Sequence, residues 1–379
     1  MLNKMNKKLI YLTYQTFPAP TANTIQTIDN LKYLINKGYK VKVVFPMRAE
    51  SSSDKVKDLQ SYYEFKEEIE FKGLEHKLPF GKFKRFEKYF FIISHYLWAK
   101  KACKQFSLTE YENVQFFTRS DWVFFFLGRK SLKVLFECHQ LSKTRKWVLK
   151  KSIIHQNSKV IFLNENLKLD SGINNKKFIE KIEVIPNGVD SKLFNFPKNK
   201  DPYQIIFTGN LKRFNDDRGL NFIIDSFKSK NMPDHYSLLI IGGSIEEVEN
   251  IRRYVTKEGL DNRIKIIERL NRSEVISNIE KAGIGLLINS SNNPHSTRYT
   301  SPLKYFEFLY AGLKIVAVDF PSHRSLPFSE KIHFFRENNT ESFLDALNDL
   351  STFKVLEKNL ISSITLTSRV NKIDKFIKK

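Results

Sequence analysis

Eight consecutive residues, Thr300-Ser301-Pro302-Leu303-Lys304-Tyr305-Phe306-Glu307, combine features that could hold a phosphorylated ligand. Ser301 suits a helix N-cap and Pro302 the first helical turn. A helix starting there offers backbone N–H groups and a partial positive charge, which together can bind a diphosphate. Glu307 follows about one and a half turns later. From there its carboxylate could accept the two hydroxyls of a ribose. The same segment also reads as a capped amphipathic helix with an exposed glutamate.

His139 follows a predicted strand over 133–137 and so falls at the carboxyl edge of a sheet. A histidine there could orient a sugar or an acceptor hydroxyl, or could be purely structural. Residues 79–106 form a third candidate. They carry Lys82, Lys84, Arg85, Lys88, Lys100, Lys101 and Lys104 against one acid, Glu87, among many aromatic and aliphatic residues. Part of this segment is expected to pack inside and part to lie on an anionic bilayer surface. An ordinary core helix with a solvated face is the alternative. Cys103 and Cys138 form no CxxC pair, so neither a disulfide framework nor a zinc site is expected.

The elements that must position these residues alternate regularly. Strands are predicted at 8–13, 41–45, 114–118, 133–137, 160–163 and 183–185, with a helix over 24–37 ended by Gly38. Residues 191–202 are polar and hold Pro197 and Pro202, which suits a linker. The pattern then restarts, with strands at 204–208, 238–241, 264–267, 284–288 and 315–318. Helices fall between them at 219–229, 245–258, 272–281 and 301–310, and a last helix covers 353–378. Short apolar strands separated by helices indicate parallel sheets covered on both faces. Two α/β units in tandem are expected to leave a cleft, with ligands at the carboxyl ends of the strands. The expected boundaries are 1–190, a linker over 191–202, 203–352, and a terminal helix over 353–379 that could pack on either unit.

A chain of 379 residues favours two domains. Its apolar runs reach about five residues, as at 123–127, whereas a membrane span needs roughly 20. The apolar stretch near the start is also too short for a signal peptide. A cytoplasmic protein is therefore expected. The net charge is +22. Residues 1–198 hold 36 Lys and Arg against 19 Asp and Glu, and residues 199–379 hold 27 against 22. The basic first half should meet something anionic: a phospholipid surface, a phosphorylated substrate or nucleic acid. The sequence contains no zinc-finger, RNP or helix-turn-helix pattern, which disfavours nucleic acid.

Further along, Ile185-Pro186-Asn187-Gly188-Val189-Asp190 reads locally as a turn, with Asn-Gly supplying positive φ. Followed by Phe194, it resembles the interdomain signature of glycosyltransferase family 4. The resemblance extends over most of the chain. Ile206-Phe207-Thr208-Gly209-Asn210-Leu211 is similar to the family's first donor-domain strand and phosphate loop. Residues 238–243 are similar to its second strand and glycine turn, and 301–317, with Ala311-Gly312, to its SPxKxxE…AG variant. Phe136-Glu137-Cys138-His139 resembles the strand that delivers the acceptor-side histidine. Residues 18–26, containing Thr21, Ala22 and Asn23, resemble a loop facing the donor phosphates.

The resemblance implies an α/β chain of GT-B fold, two Rossmann-like domains facing across an interdomain cleft. It implies retaining sugar transfer from a nucleotide sugar with no metal and no cofactor beyond that co-substrate. Arg218 takes the place of the family's Lys-Gly lysine and is the first candidate for the leaving phosphate. Asn210 stands where the family has an arginine, so Lys212 could supply the second cation. Glu307 matches the second of two family acids, whereas the first falls on Tyr299. The backbone around Ser301, Pro302 and Leu303 is then expected to contact the diphosphate, with Lys304 a further candidate. Leu270, beside Arg269, is expected near the nucleotide base. Asn187 and Gly188 read as a hinge turn, and Glu137 as a possible acceptor contact. The implied acceptor is a glycan or a lipid-linked glycan in bacterial surface polysaccharide or lipopolysaccharide synthesis, reached from the inner face of the plasma membrane. A nucleotide-sugar 2-epimerase of the same fold is the alternative.

Overall fold

Runs of branched and aromatic residues, too short for helices, build two parallel sheets. The computed structural model describes residues 7–76, 87–197, 199–213, 216–352 and 358–379. Two units emerge: one ends at Ile185 and regains the chain from Val370, and the other runs from Pro186 to Arg369.

The first sheet contains β1 (Lys7–Leu12), β2 (Tyr39–Met47), β3 (Ile69–Glu75), β4 (Val114–Thr118), β5 (Val134–Cys138), β6 (Ser158–Phe162) and β7 (Ile182–Val184). Its order is β3-β2-β1-β4-β5-β6-β7, with every pairing parallel. The second contains β8 (Asp201–Thr208), β9 (Ser237–Ile241), β10 (Ile264–Ile267), β11 (Ala282–Leu287), β12 (Lys314–Val318) and β13 (Ile332–Phe335). Its order is β10-β9-β8-β11-β12-β13, again parallel throughout. Each sheet reverses direction beside its first strand, and ligands of such sheets bind at that switch point.

The helices that bear on function are α1 (Ala22–Ile35), α2 (Glu87–Lys104), α3 (Asp121–Arg129), α4 (Lys143–Ser152), α5 (Ile245–Lys257), α6 (Arg272–Lys281), α7 (Leu303–Tyr310) and α8 (Leu366–Lys378). Adjacent residues of one strand enter opposite cores. Ile205, Phe207, Leu238, Ile240 and Val316 join one apolar cluster, while Ile206, Leu239, Ile241 and Ile315 join the other. Both faces of the sheet are therefore covered, which explains why its strands read as unbroken apolar runs.

In these two parallel sheets, the strands that escape the sequence reading lie at the edges. In β3, Ile69-Glu70-Phe71-Lys72 alternates buried and exposed residues, so it lacks an apolar run. β13 spans only Ile332–Phe335 and includes His333.

The stretch read as a domain end and linker belongs to the second unit from Pro186 onward, and Val189 and Phe194 anchor it there. Val189 N donates to Ile364 O at 3.0 Å, and Leu366 N to Val189 O at 2.8 Å. Phe194 is buried, and Glu280 Oε1 accepts the N–H groups of Asn195 and Phe196, both at 2.6 Å. The expected continuous helix over 353–378 is interrupted, because the backbone of Ile364 and Thr365 is used to pair with Val189. Residues 353–357 lie outside the described residues. The chain end returns to the first unit, where Lys159 Nζ donates to Phe376 O at 2.8 Å and Tyr39 Oη to Asp374 Oδ1 at 2.9 Å.

Gly188 has no positive φ, contrary to expectation. Its glycine is required by space: a Cβ there would stand 3.0 Å from the carbonyl oxygens of Ile364 and Thr365.

Candidate active site

The second unit gathers its polar groups where the strand order reverses. β8 ends at Thr208, and Gly209 turns the chain with φ +116°. After β9, Gly242 comes so close that a Cβ on it would lie 2.1 Å from the Gly209 carbonyl oxygen. Two glycine turns thus touch above the strand ends, with the Gly209 and Gly242 N–H groups bonded to the Ile241 and Ile267 carbonyls.

Arg218 spans the gap between the loops after β8 and β11. It is buried, and donates to the Asn210 carbonyl at 3.1 Å, to Asn289 Oδ1 at 3.1 Å and to the Ile288 carbonyl at 3.3 Å. Lys304, also buried, donates to the Thr208 carbonyl at 3.2 Å. Both cations lie over the Phe207 ring, with Arg218 Cζ at 5.4 Å and Lys304 Nζ at 3.7 Å from its centroid. These carbonyl and amide oxygens fix where the two cationic groups sit. Nearby, buried His323 is held down to about 4 by desolvation, although its bond to the Val318 carbonyl opposes this. The Lys304 and Arg218 charges reinforce the lowering.

Ser301 is not the N-cap. Pro302 occupies that position with φ −73° and ψ 131°, and no side chain caps α7. The first helical bond runs from Tyr305 N to the Pro302 carbonyl at 3.2 Å, while the Ser301 carbonyl, which an N-cap would use for that bond, accepts from Asn187 Nδ2 at 2.6 Å. Ser301 Oγ is buried and makes no hydrogen bond among the described residues. An uncapped helix start with an orphaned hydroxyl beside it is suited to an anionic ligand. Glu307 is buried rather than exposed, and it pairs with Arg272 Nη2 at 2.5 Å. Arg272 opens α6 and escaped the sequence reading because helix-start arginines are ordinarily solvated.

A cavity of about 720 Å³ lies beside these turns, lined by Asn210, Lys212, Gly243, Ser244, Glu247 and Arg269. Arg269 Nη2 reaches Asn210 Oδ1 at 2.9 Å. At α5, Ser244 and Glu247 form a reciprocal capping box. That helix start is therefore already satisfied and carries the acids Glu246 and Glu247, so an anion is favoured at α7 instead. Lys212 is exposed on the cavity edge, and Leu270 is half-buried against the core. A second cavity, of about 730 Å³, lies at the opposite, amino ends of β8 to β10 near Gln204, Ser237 and Arg263. Parallel sheets do not bind ligands there.

The first unit places its predicted residues at the equivalent edge. The Glu137 side chain is fully buried at the end of β5. His139 Nε2 lies 2.7 Å from Glu137 Oε1, and Arg119 Nη2 3.3 Å from the same oxygen. An ionised carboxylate only accepts, so Nε2 is the nitrogen that donates to Glu137. Arg119 Nη1 also donates to the Asn23 carbonyl at 3.1 Å. It thereby ties Glu137 to the start of α1, where Thr21 is the N-cap and Ala22 and Asn23 form the first turn. This stretch is the exposed start of a helix rather than the expected loop. Arg119 sits at the carboxyl end of β4 just as His139 does at that of β5, so strand-end position was the signal for it.

In the same unit, Tyr14 stacks on His95 with centroids 4.5 Å apart, and Arg48 Cζ lies 4.7 Å from the Tyr14 ring centroid. His95 bonds Ser120 Oγ at 2.6 Å, and burial lowers it to about 4 despite the charge of Asp121. Among the described residues, no cluster of His, Cys, Asp and Glu is arranged to hold a metal ion. Cys103 and Cys138 are buried, which pushes each thiol up to about 12. No described helix is long and apolar enough to cross a membrane.

Comparison with known proteins agrees with this architecture. Residues 189–364 match the family model of glycosyl transferases group 1. No curated protein matches by sequence. Among solved structures, sucrose-phosphate synthase from Thermosynechococcus elongatus superposes with a TM-score of 0.69 at 13% identity, covering 98% of each chain. A glycosyltransferase from Rickettsia africae gives 0.68 at 16% identity, covering 99% of this chain and 98% of that one. The Anabaena protein HepE in complex with UDP-glucose gives 0.58 at 14% identity, covering 97% and 94%. The chain therefore has the GT-B fold, and its second unit carries the sequence pattern of glycosyl transferases group 1.

Proposed function

We propose that the protein transfers a sugar from a nucleoside diphosphate sugar to a glycan or glycolipid acceptor, with retention and without a metal ion. The observation that carries this reading is the pair of buried cations, Arg218 and Lys304, over Phe207 beside the uncapped start of α7. The bond between the anomeric carbon and the diphosphate oxygen breaks, and negative charge grows on the leaving phosphate. Fixed cations and backbone N–H groups stabilise that charge without reorganising. The acceptor hydroxyl forms the new bond to the anomeric carbon, and its proton passes to the leaving phosphate.

The same reading gives the other residues their roles. Lys304, rather than Lys212, supplies the second cation. Glu307, held by Arg272, takes the ribose hydroxyls, and Gly209, Asn210 and the Ser301–Leu303 backbone line the phosphate path. Leu270 and Arg269 lie nearest the base. On the acceptor side, His139 orients the hydroxyl, Glu137 fixes its tautomer, and Thr21 to Asn23 face the substrate. The HepE structure was solved with UDP-glucose, which supports a nucleotide-sugar donor. The basic charge supports an acceptor at the inner face of a bacterial plasma membrane, in surface polysaccharide synthesis.

A thermal-shift screen with UDP-, GDP- and ADP-sugars tests the donor site. Saturation at 100 times Kd stabilises by about 2.7 kcal/mol. The absence of any shift would refute the donor reading. With the matching donor, Arg218→Ala should lower turnover about 10- to 150-fold through one lost charge-assisted contact. Unchanged turnover in a folded variant would remove Arg218 from the mechanism. Conversion of the donor to its 2-epimer without acceptor would favour an epimerase instead.

A further inference from the structure

We propose that α2, α3 and α4 together form one docking face for an anionic lipid bilayer. This deepens the membrane attachment in the proposed function and stands apart from the transfer chemistry. The face begins on α2. Ser94, Trp98 and Ala102 are buried beneath that helix, and Ser94 Oγ is bonded to Tyr14 Oη and His76 Nε2 at 2.6 and 2.7 Å. With that side fixed inward, Tyr89, Ile93 and Leu97, spaced four apart, point out with 67%, 55% and 45% of their surface exposed. Such spacing makes one continuous stripe. The stripe ends in Lys100 and Lys104, both exposed.

Aromatic contacts carry the face sideways. Tyr96 of α2 meets Trp122 and Phe126 of α3 with centroids 5.0 and 5.4 Å apart. Trp147 of α4 meets Phe125 at 5.4 Å and Trp122 at 6.5 Å. Trp147 is itself 46% exposed, and Lys143, Lys150 and Lys151 lie four before, three after and four after it, all exposed. Residues 143–152 contain no acid. Helical spacing therefore surrounds an exposed indole with cations, the pattern of a helix lying in a lipid interface.

Soluble proteins seldom expose so many large apolar residues together. The charge identifies the occupant. A second copy of this face would oppose lysine to lysine, whereas anionic headgroups would match the cations while the aromatic groups enter the acyl boundary. Lys82, Lys84 and Arg85, expected from sequence to supply this charge, lie outside the described residues. The helical lysines provide it independently.

The test is co-sedimentation of the full chain, without donor or acceptor, with vesicles of phosphatidylcholine alone or containing one-third phosphatidylglycerol. Binding is expected only to the anionic vesicles, falling as salt rises. Each lysine at such a surface contributes about fivefold, so Lys143→Gln/Lys150→Gln/Lys151→Gln should weaken partitioning roughly a hundredfold. Ile93→Ser/Leu97→Ser should also weaken it without changing Tm. The vesicle-induced blue shift of tryptophan emission should disappear in Trp147→Phe. Equal binding to neutral vesicles, or wild-type binding by the triple variant, overturns the proposal. So does a vesicle-free dimer that Ile93→Ser/Leu97→Ser dissociates, because the face would then belong to a second copy. Arg218→Ala should bind vesicles normally. Loss of its effect on turnover would refute the transfer reading alone, and loss of vesicle binding by the wild type would refute the docking face alone.

Discussion

Glu137 shows how one buried carboxylate can organise several functional groups. Its Oε1 meets both His139 and Arg119, and Arg119 in turn reaches the start of α1. Glu137→Gln keeps the shape but removes the charge that orients His139. Loss of one charge-assisted bond should lower kcat about 10- to 100-fold, with donor-induced stabilisation unchanged. Steady-state kinetics beside a donor thermal shift would check this, and an unaltered kcat would leave His139 without a role in turnover. The contrast with Glu307 is informative. Glu307 matches the family pattern by sequence, yet its partner Arg272 is 35 positions distant and no local spacing predicts their meeting.

Among the elements, the two glycine turns above β8 and β9 carry the most precise demand. Gly242 has φ +138°, and a Cβ on it would meet the Gly209 carbonyl oxygen at 2.1 Å. Gly259 also has positive φ, but a Cβ there meets nothing within 4 Å. Gly259→Ala should therefore cost only the local strain, about 1 kcal/mol. Gly242→Ala should cost more, roughly 2–4 kcal/mol, and on the proposed function should also reduce nucleotide affinity by displacing the Gly209 turn. Urea denaturation with nucleotide titration separates the two effects. Equal losses in the two variants would show that the close approach is unimportant. At this scale the helices were legible from periodicity and caps: 272–281 was predicted and found with the same ends. The start of α7 was misread by two residues, and there the Ser301 carbonyl is engaged by Asn187 from 114 positions away, a contact no local pattern reports.

For the molecule as a whole, each unit contains a histidine that desolvation holds to about 4: largely buried His95 in the first and fully buried His323 in the second. An unfolded histidine titrates near 6.5. Between about 4 and 6.5 the unfolded chain binds more protons, so stability rises with pH across that window. The contribution is complete above 6.5 and is lost as the pH falls toward 4. Going from pH 7 to pH 5 should cost each unit roughly 2 kcal/mol. Denaturation at the two pH values checks this, with His95→Gln expected to flatten the response of the first unit. An identical pH response in that variant would remove His95 as the cause.

By itself the sequence determined two tandem parallel α/β units, because strands buried on both faces must be unbroken apolar runs and helices must separate them. It also marked most residues of the candidate site, since those residues stand at the ends of the elements that position them. The cation partners were decided only by tertiary structure. Lys304, Arg218 and Phe207 converge from three separate segments, as do Arg272 with Glu307 and Arg119 with Glu137. The same holds for the exposed face of α2, α3 and α4, where Tyr96, Trp122 and Trp147 become neighbours only after the helices pack. Periodicity reports which side of an element is buried, whereas contacts between elements depend on how the sheet brings distant strand ends together.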